Sequence, residues 1–190
     1  MGKQVKFVLL RDDGRFPNNE KLPLLLYRGA IEAGGAAPAK ELLSEMAVLA
    51  SAVEATFHRN GWGGSWRNGI YDMHHYHSTA HETLGVYAGS ARVQLGGDSG
   101  PVFEIRAGDV VVIPAGVAHK RIESSVDFRV VGAYPDGQRP DMRYGSDGER
   151  PEAERNIESV HTPRKDPVYG EEGPLHDLWK RRGPGSGFPA

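Results

Sequence analysis

The sequence predicts an all-β fold of the sandwich or jelly-roll kind, on two observations. From Gly69 to about Pro135, short apolar segments alternate with Gly- and Pro-bearing turns at regular spacing. The composition agrees, since 25 Gly and 13 Pro in 190 residues favour many short strands over long helices. A chain of this length suits one domain with extensions and can bury a core without covalent staples. The expected division is an N-terminal arm with one helix over 1–54, a barrel over 55–135, an extended C-terminal wrap over 136–182 and a disordered tail over 183–190.

Taken in order, Lys3 to Leu10 is apolar enough for a strand at a sheet edge. Arg11 to Lys21 is polar and broken by Asp13-Gly14 and Pro17-Asn18-Asn19. Leu24 to Tyr27 is a short apolar run whose type periodicity does not decide. Pro38 to Val53 is the best helix: Pro38 suits a first turn, and Leu42, Met46, Leu49 and Val53 recur at near-helical spacing. Phe57, Trp62 and Trp66 form an aromatic, glycine-rich approach to the next region. The expected strands are Thr83–Tyr87, Ser90–Leu95, Val102–Ile105, Asp109–Ile113 and Asp127–Tyr134. Beyond Pro135 the chain is rich in Asp, Glu, Arg, Gly and Pro with little periodicity. It reads as a wrapping arm pinned by scattered apolar residues such as Ile157, Tyr169, Leu175 and Trp179.

Charge and composition exclude several classes. A formal charge of −2 argues against a general nucleic-acid or anionic-membrane binder. With no cysteine there are no disulfides, thiolate ligands or Cys nucleophiles, so any metal must sit on His, carboxylate or water. The apolar run Phe7–Leu10 is too short for a signal-peptide core or a membrane span, which makes a cytoplasmic location the expectation.

The chemistry concentrates in one stretch. Four of the eight histidines and a carboxylate fall between His74 and Glu82. Neutral imidazoles are good divalent-metal ligands, and a carboxylate adds charge to such a site. His75 and His77 are two apart, so on an extended strand they share a face, with His74 and Tyr76 on the other. Ser78-Thr79-Ala80 reads as a turn, after which either His81 or Glu82 faces inward. Pro114-Ala115-Gly116-Val117-Ala118-His119 brings a further imidazole just after a tight turn. Ser78 lacks the Gly-x-Ser-x-Gly surroundings of a nucleophile elbow.

Gly69, His75, His77, Glu82 and Gly89 reproduce Gly-x5-His-x-His-x4-Glu-x6-Gly without a gap, and Gly108, Pro114, Gly116 and His119 match Gly-x5-Pro-x-Gly-x2-His. These are the two motifs of the cupin superfamily, which the chain resembles. One departure is Glu123, where the second motif often carries Asn. The wider chain resembles the YjlB-like cupins at Trp62, Trp66, Gly132-Ala133-Tyr134-Pro135, Asp166-Pro167 and Gly173-Pro174-Leu175.

The resemblance implies a double-stranded β-helix, or jelly-roll, barrel with a divalent metal held by His75, His77, Glu82 and His119. His81 stands as the alternative fourth ligand or a neighbour that orients one, and His74 as a structural histidine. Fe or Mn leads, with Zn, Ni and Cu compatible with the same donors. The expected function is a metal-dependent enzyme of dioxygenase type acting on a small polar organic molecule. The alternatives are a sugar or keto-acid isomerase on the same site, or a non-catalytic small-ligand cupin. A homodimer is expected because a jelly roll leaves sheet edges.

Overall fold

The computed structural model describes residues 5–32 and 42–180, with side chains in the second stretch from Glu45 onward. Its elements, in chain order, are β1 (Val5–Leu10), β2 (Asn19–Tyr27), α1 (Leu42–Arg59), β3 (Trp62–Asn68), β4 (Glu82–Ala88), β5 (Ser90–Leu95), β6 (Val102–Arg106), β7 (Val110–Ile113), β8 (His119–Ser124), β9 (Arg129–Pro135), α2 (Arg150–Ser159) and α3 (Leu175–Trp179). Six strands form one sheet in the order β1-β2-β7-β4-β9-β3, and three form a second in the order β6-β5-β8. Every strand pairing among the described residues is antiparallel. This is the two-sheet jelly roll that the strand and turn spacing predicts.

Strand alternation sorts the large sheet's side chains into two cores. Leu24, Leu26, Leu84, Val86, Val111, Ile113 and Val130 face inward and meet Ala91, Val93, Leu95 and Ile105 of the small sheet. Their neighbours Leu25, Tyr27, Val110, Val112, Val131 and Ala133 face outward. There they are covered by Leu49, Val53 and Phe57 of α1 and by Leu175 and Trp179 of α3. Both faces of the sheet are therefore buried, which is why β7 reads as an uninterrupted Val-Val-Val-Ile.

Several boundaries differ from the sequence reading. The arm and the barrel do not divide near residue 54, because β1 pairs with β2 and β2 with β7, extending the main sheet. The ambiguous Leu24–Tyr27 run is the end of β2. Helix α1 continues six residues past Val53 to Arg59, and the fully buried Phe57 carries on the Leu49, Val53 series. Strands β3 and β8 were not among the expected strands. The C-terminal wrap is not wholly extended: it contains α2, where Ala153 is the only buried residue and hydrophobic periodicity is accordingly silent. The Pro38 helix start and the 183–190 tail lie outside the described residues. Among those described, no helix is long and apolar enough to cross a membrane.

The wrap is pinned by polar contacts as well as packing. Fully buried Asp166 accepts hydrogen bonds from the Tyr27 hydroxyl (2.6 Å) and from the backbone N–H groups of Val168, Tyr169 and Leu175. The Trp62 indole donates to the Lys165 carbonyl, and the Trp179 indole to that of Pro23.

Candidate metal centre

The stretch from His74 to His77 is extended, and its side chains alternate as period two requires. His74 and Tyr76 turn to Phe16, with ring centroids 5.3 and 6.2 Å away. His75 and His77 turn to the opposite side. A two-way backbone bridge, His75 N–H to His119 carbonyl (3.2 Å) and His119 N–H to His75 carbonyl (3.0 Å), sets those two residues side by side. Their rings lie 4.1 Å apart. The turn before β8 makes this possible. Gly116 sits at φ 92°, a left-handed conformation that L side chains rarely adopt, and its N–H donates to the His77 carbonyl (2.8 Å).

The three buried imidazoles thus converge, with one ligand nitrogen from each lying within 4.8 Å of the others. Glu82, the first residue of β4, lies beside two of the three, approaching from the large sheet. Its Oε1 is 3.5 Å from His77 Nε2, and its Oε2 is 3.3 Å from His119 Nε2. It is 2% exposed, so its charge has no water to lean on.

Hydrogen bonding at the far side of each ring decides what the near side presents. Nδ1 of His75 faces the Met73 carbonyl at 3.3 Å, Nδ1 of His77 the Asp141 carbonyl at 2.5 Å, and Nδ1 of His119 the Val117 carbonyl at 3.1 Å. A carbonyl oxygen only accepts, so in each neutral ring the proton sits on Nδ1 and Nε2 keeps a lone pair. Lone pairs from His77 and His119 then point at a buried carboxylate whose Oε2 makes no well-formed hydrogen bond among the described residues. That arrangement favours a cation between them, either a proton or a metal ion. The donor set fits a divalent metal: three neutral imidazoles and one carboxylate, each ring steadied from behind.

The proton affinities show the same demand. Burial, reinforced by neighbouring His119, pushes the pKa of His75 down to about 3, which keeps that ring neutral. For His77 burial acts downward, but the Glu82 carboxylate outweighs it and the net shift is upward. For Glu82 burial acts upward, yet His77 and His119 outweigh it and hold the carboxyl below its ordinary range.

His81 belongs elsewhere. Its Nδ1 accepts the Ala115 N–H (2.9 Å), which leaves the proton on Nε2, the opposite tautomer to the other three. Its ring packs against Trp179 at 4.8 Å, and it is 1% exposed. Burial, only partly offset by the His161 backbone, drives its pKa down to about 3. Glu82, not His81, therefore lies on the imidazole side, beside His77 and His119. Glu123 lies on the outer face of β8, paired with Arg92 at 2.8 Å.

One contributor carried no motif. Asp141 lies in the loop after β9. Besides offering its carbonyl to His77, it accepts with its carboxylate from the Ser78 N–H and hydroxyl (both 2.6 Å) and from Arg143 (2.8 Å). It grips the ligand strand immediately beyond His77. A backbone carbonyl 64 residues away leaves no trace in sequence spacing.

The open side of the group faces a cavity of about 300 Å³ lined by Trp66, Arg67, Asn68, Gly69, Ile70, Tyr71, Leu84, Tyr134 and Met142 together with the four residues above. Trp66 lies flat on β9 because residue 132 is glycine; a Cβ there would fall 2.2 Å from the indole. The Trp66 indole N–H donates to the Tyr134 hydroxyl (2.9 Å). Burial and the charge of Glu82 raise the Tyr134 pKa above its ordinary value, so the phenol keeps its proton.

Residues 67–131 match the cupin domain family, a span that contains His75, His77, Glu82 and His119. The chain is 38% identical over 179 residues to the uncharacterized protein YjlB of Bacillus subtilis, covering 94% of this chain and 99% of that protein. Among solved structures, it resembles acireductone dioxygenase from Bacillus anthracis with cadmium ion in its active centre, at 13% identity and TM-score 0.38, over 72% of this chain and 82% of that one. It also resembles a Klebsiella pneumoniae protein with a double-stranded β-helix domain, at 20% identity and TM-score 0.33, over 42% and 67% respectively. By its match to that domain family and its near full-length identity to YjlB, the chain belongs to the cupin superfamily, in the YjlB-like group.

Proposed function

We propose that this cupin is a metal-dependent enzyme of dioxygenase type, with His75, His77, His119 and Glu82 as the ligands of a divalent ion, Fe or Mn foremost. The observation that carries the reading is the set of three Nδ1-to-carbonyl contacts, which leave Nε2 bare on three clustered imidazoles, two of them beside the Glu82 carboxylate. Bound there, the ion would supply Lewis-acid or redox chemistry at the positions that four protein ligands leave open. The chain's own residues do the rest. Glu82 offsets the ion's charge. Asp141 and the Met73 and Val117 carbonyls fix the ring orientations. Trp66, Leu84 and Ile70 give the open side apolar walls, and Tyr134 holds a proton at its hydroxyl beside Glu82.

Oxygen uptake by the iron-loaded protein, with candidate organic substrates, tests the dioxygenase version. Uptake that stops in Glu82→Gln supports it. An iron-loaded protein that turns substrate over without consuming oxygen would favour the isomerase chemistry of the same site.

A further inference from the structure

The cavity over the histidines has a composition that speaks about its occupant. Trp66, Ile70, Tyr71, Leu84, Tyr134 and Met142 give it mostly apolar walls. Among the described residues its only Lys or Arg is Arg67, whose charge is matched by Glu54 in a two-point contact (2.8 and 2.6 Å). Its one carboxylate there, Glu82, leaves a single net positive charge at the proposed divalent ion, enough for one anionic oxygen and not for a polyanion. None of the described lining residues belongs to a helix, so no helix N-terminus among them adds positive charge.

The walls are also held in place. The indole of Trp66 rests on Gly132 and donates to Tyr134, and the Tyr71 ring meets His75 edge-on at 5.2 Å. Tyr71 and Met142 nevertheless remain 56% and 41% exposed at the rim, apolar surface that a ligand would cover. The volume of about 300 Å³ lies at the small end for ligand pockets.

We infer that this cavity selects a compact, largely apolar molecule of about one aromatic ring in size. That molecule carries a neutral or singly charged oxygen donor, and the cavity rejects phosphorylated sugars and other polyanions. The inference rests on the proposed metal site for its oxygen-donor part, and on Trp66, Tyr71, Leu84 and Met142 alone for its apolar part. It narrows the small polar substrate expected from sequence to one whose polarity is confined to the end that meets the histidines.

Two hydroxamates that share a metal-binding group and differ by a ring, benzohydroxamate and acetohydroxamate, test it against glucose 6-phosphate. Binding is read from the visible spectrum of the cobalt-loaded protein and from saturation-transfer NMR on the metal-free protein. The ring should improve affinity by about ten-fold or more, the scale expected for burying its apolar surface. That advantage should shrink at least about three-fold in Trp66→Ala and in Met142→Ala, the latter on the exposed rim where folding is not at stake. Glucose 6-phosphate should leave the cobalt spectrum unchanged. Equal affinity for the two hydroxamates, an unchanged ring advantage in both variants, or tighter binding of the sugar phosphate would overturn the inference. If no cobalt is taken up but the ring still shows saturation transfer that the variants abolish, the metal reading fails and the apolar selectivity stands. Cobalt uptake with no transfer to the ring would leave the metal reading standing and overturn the apolar selectivity.

Discussion

The two sides of the His74–Glu82 stretch make opposite use of the same residue type. On the cavity side, His75 and His77 donate through Nδ1 to carbonyls and leave Nε2 bare, as His119 does from the small sheet. On the other side, His81 accepts an N–H at Nδ1 and buries its ring against Trp179. The partner behind each ring, not burial, separates the proposed ligands from the packing residue, since all four are at least 95% buried. Imidazole count alone is thus a poor guide. What matters is whether the group behind the ring donates or accepts.

The largest effect is expected from His119→Ala. Removing one of three imidazoles should lower metal affinity by more than about 100-fold, beyond the loss typical of a merely supporting partner. Titration against a chelator measures it, and unchanged affinity would remove His119 from the site. The mirror experiment is His81→Ala. Metal stoichiometry should persist, while stability falls by about 2–4 kcal/mol through the cavity and the orphaned Ala115 N–H. Metal loss without destabilisation would reverse the assignment.

Asp166→Ala extends the contrast to the wrap. It strands the Tyr27 hydroxyl and three backbone N–H groups, so a cost of about 2–3 kcal/mol in chemical denaturation is expected. Metal affinity should stay within error. Asp141→Ala should do the opposite in kind, weakening metal binding about ten-fold because it loosens the strand that carries His77.

The smallest effect concerns Glu149. Burial acts to raise its pKa, but N–H groups from Tyr144, Gly145 and Ser146 hold it below its ordinary 4.5. A folded-state pKa below the unfolded one adds stability that is full above about 4.5 and is lost as pH falls through the folded value. The thermal midpoint of wild type should therefore exceed that of Glu149→Gln at pH 7, and the gap should close under acid. A gap independent of pH would show that the carboxylate's charge is not what holds that turn.

The grouping of the three imidazoles was legible in sequence through the two cupin motifs that carry them. His75 and His77 share a strand face, Glu82 opens the next strand, and a glycine turn brings back His119. Strand alternation did not decide between His81 and Glu82, because an irregular turn separates them from His77 and breaks the count; the motif spacing is what favoured Glu82. Asp141 and the seat that Gly132 gives Trp66 were invisible for another reason: both depend on contacts across the fold. In the fold itself, β3 was hidden by its glycines, and α2 by having a single buried residue, Ala153, to mark its inner side. Helix α1 was read only as far as Val53, although Phe57 continues the four-residue spacing of Leu49 and Val53.

On the proposed reading the two sides of this stretch differ in kind, one holding a metal and the other holding the fold. Elemental analysis of gently purified wild type, His75→Ala and His81→Ala tests it directly. Close to one divalent ion per chain is expected in wild type and His81→Ala, and almost none in His75→Ala. Equal metal content in all three proteins, or loss in His81→Ala alone, would contradict it.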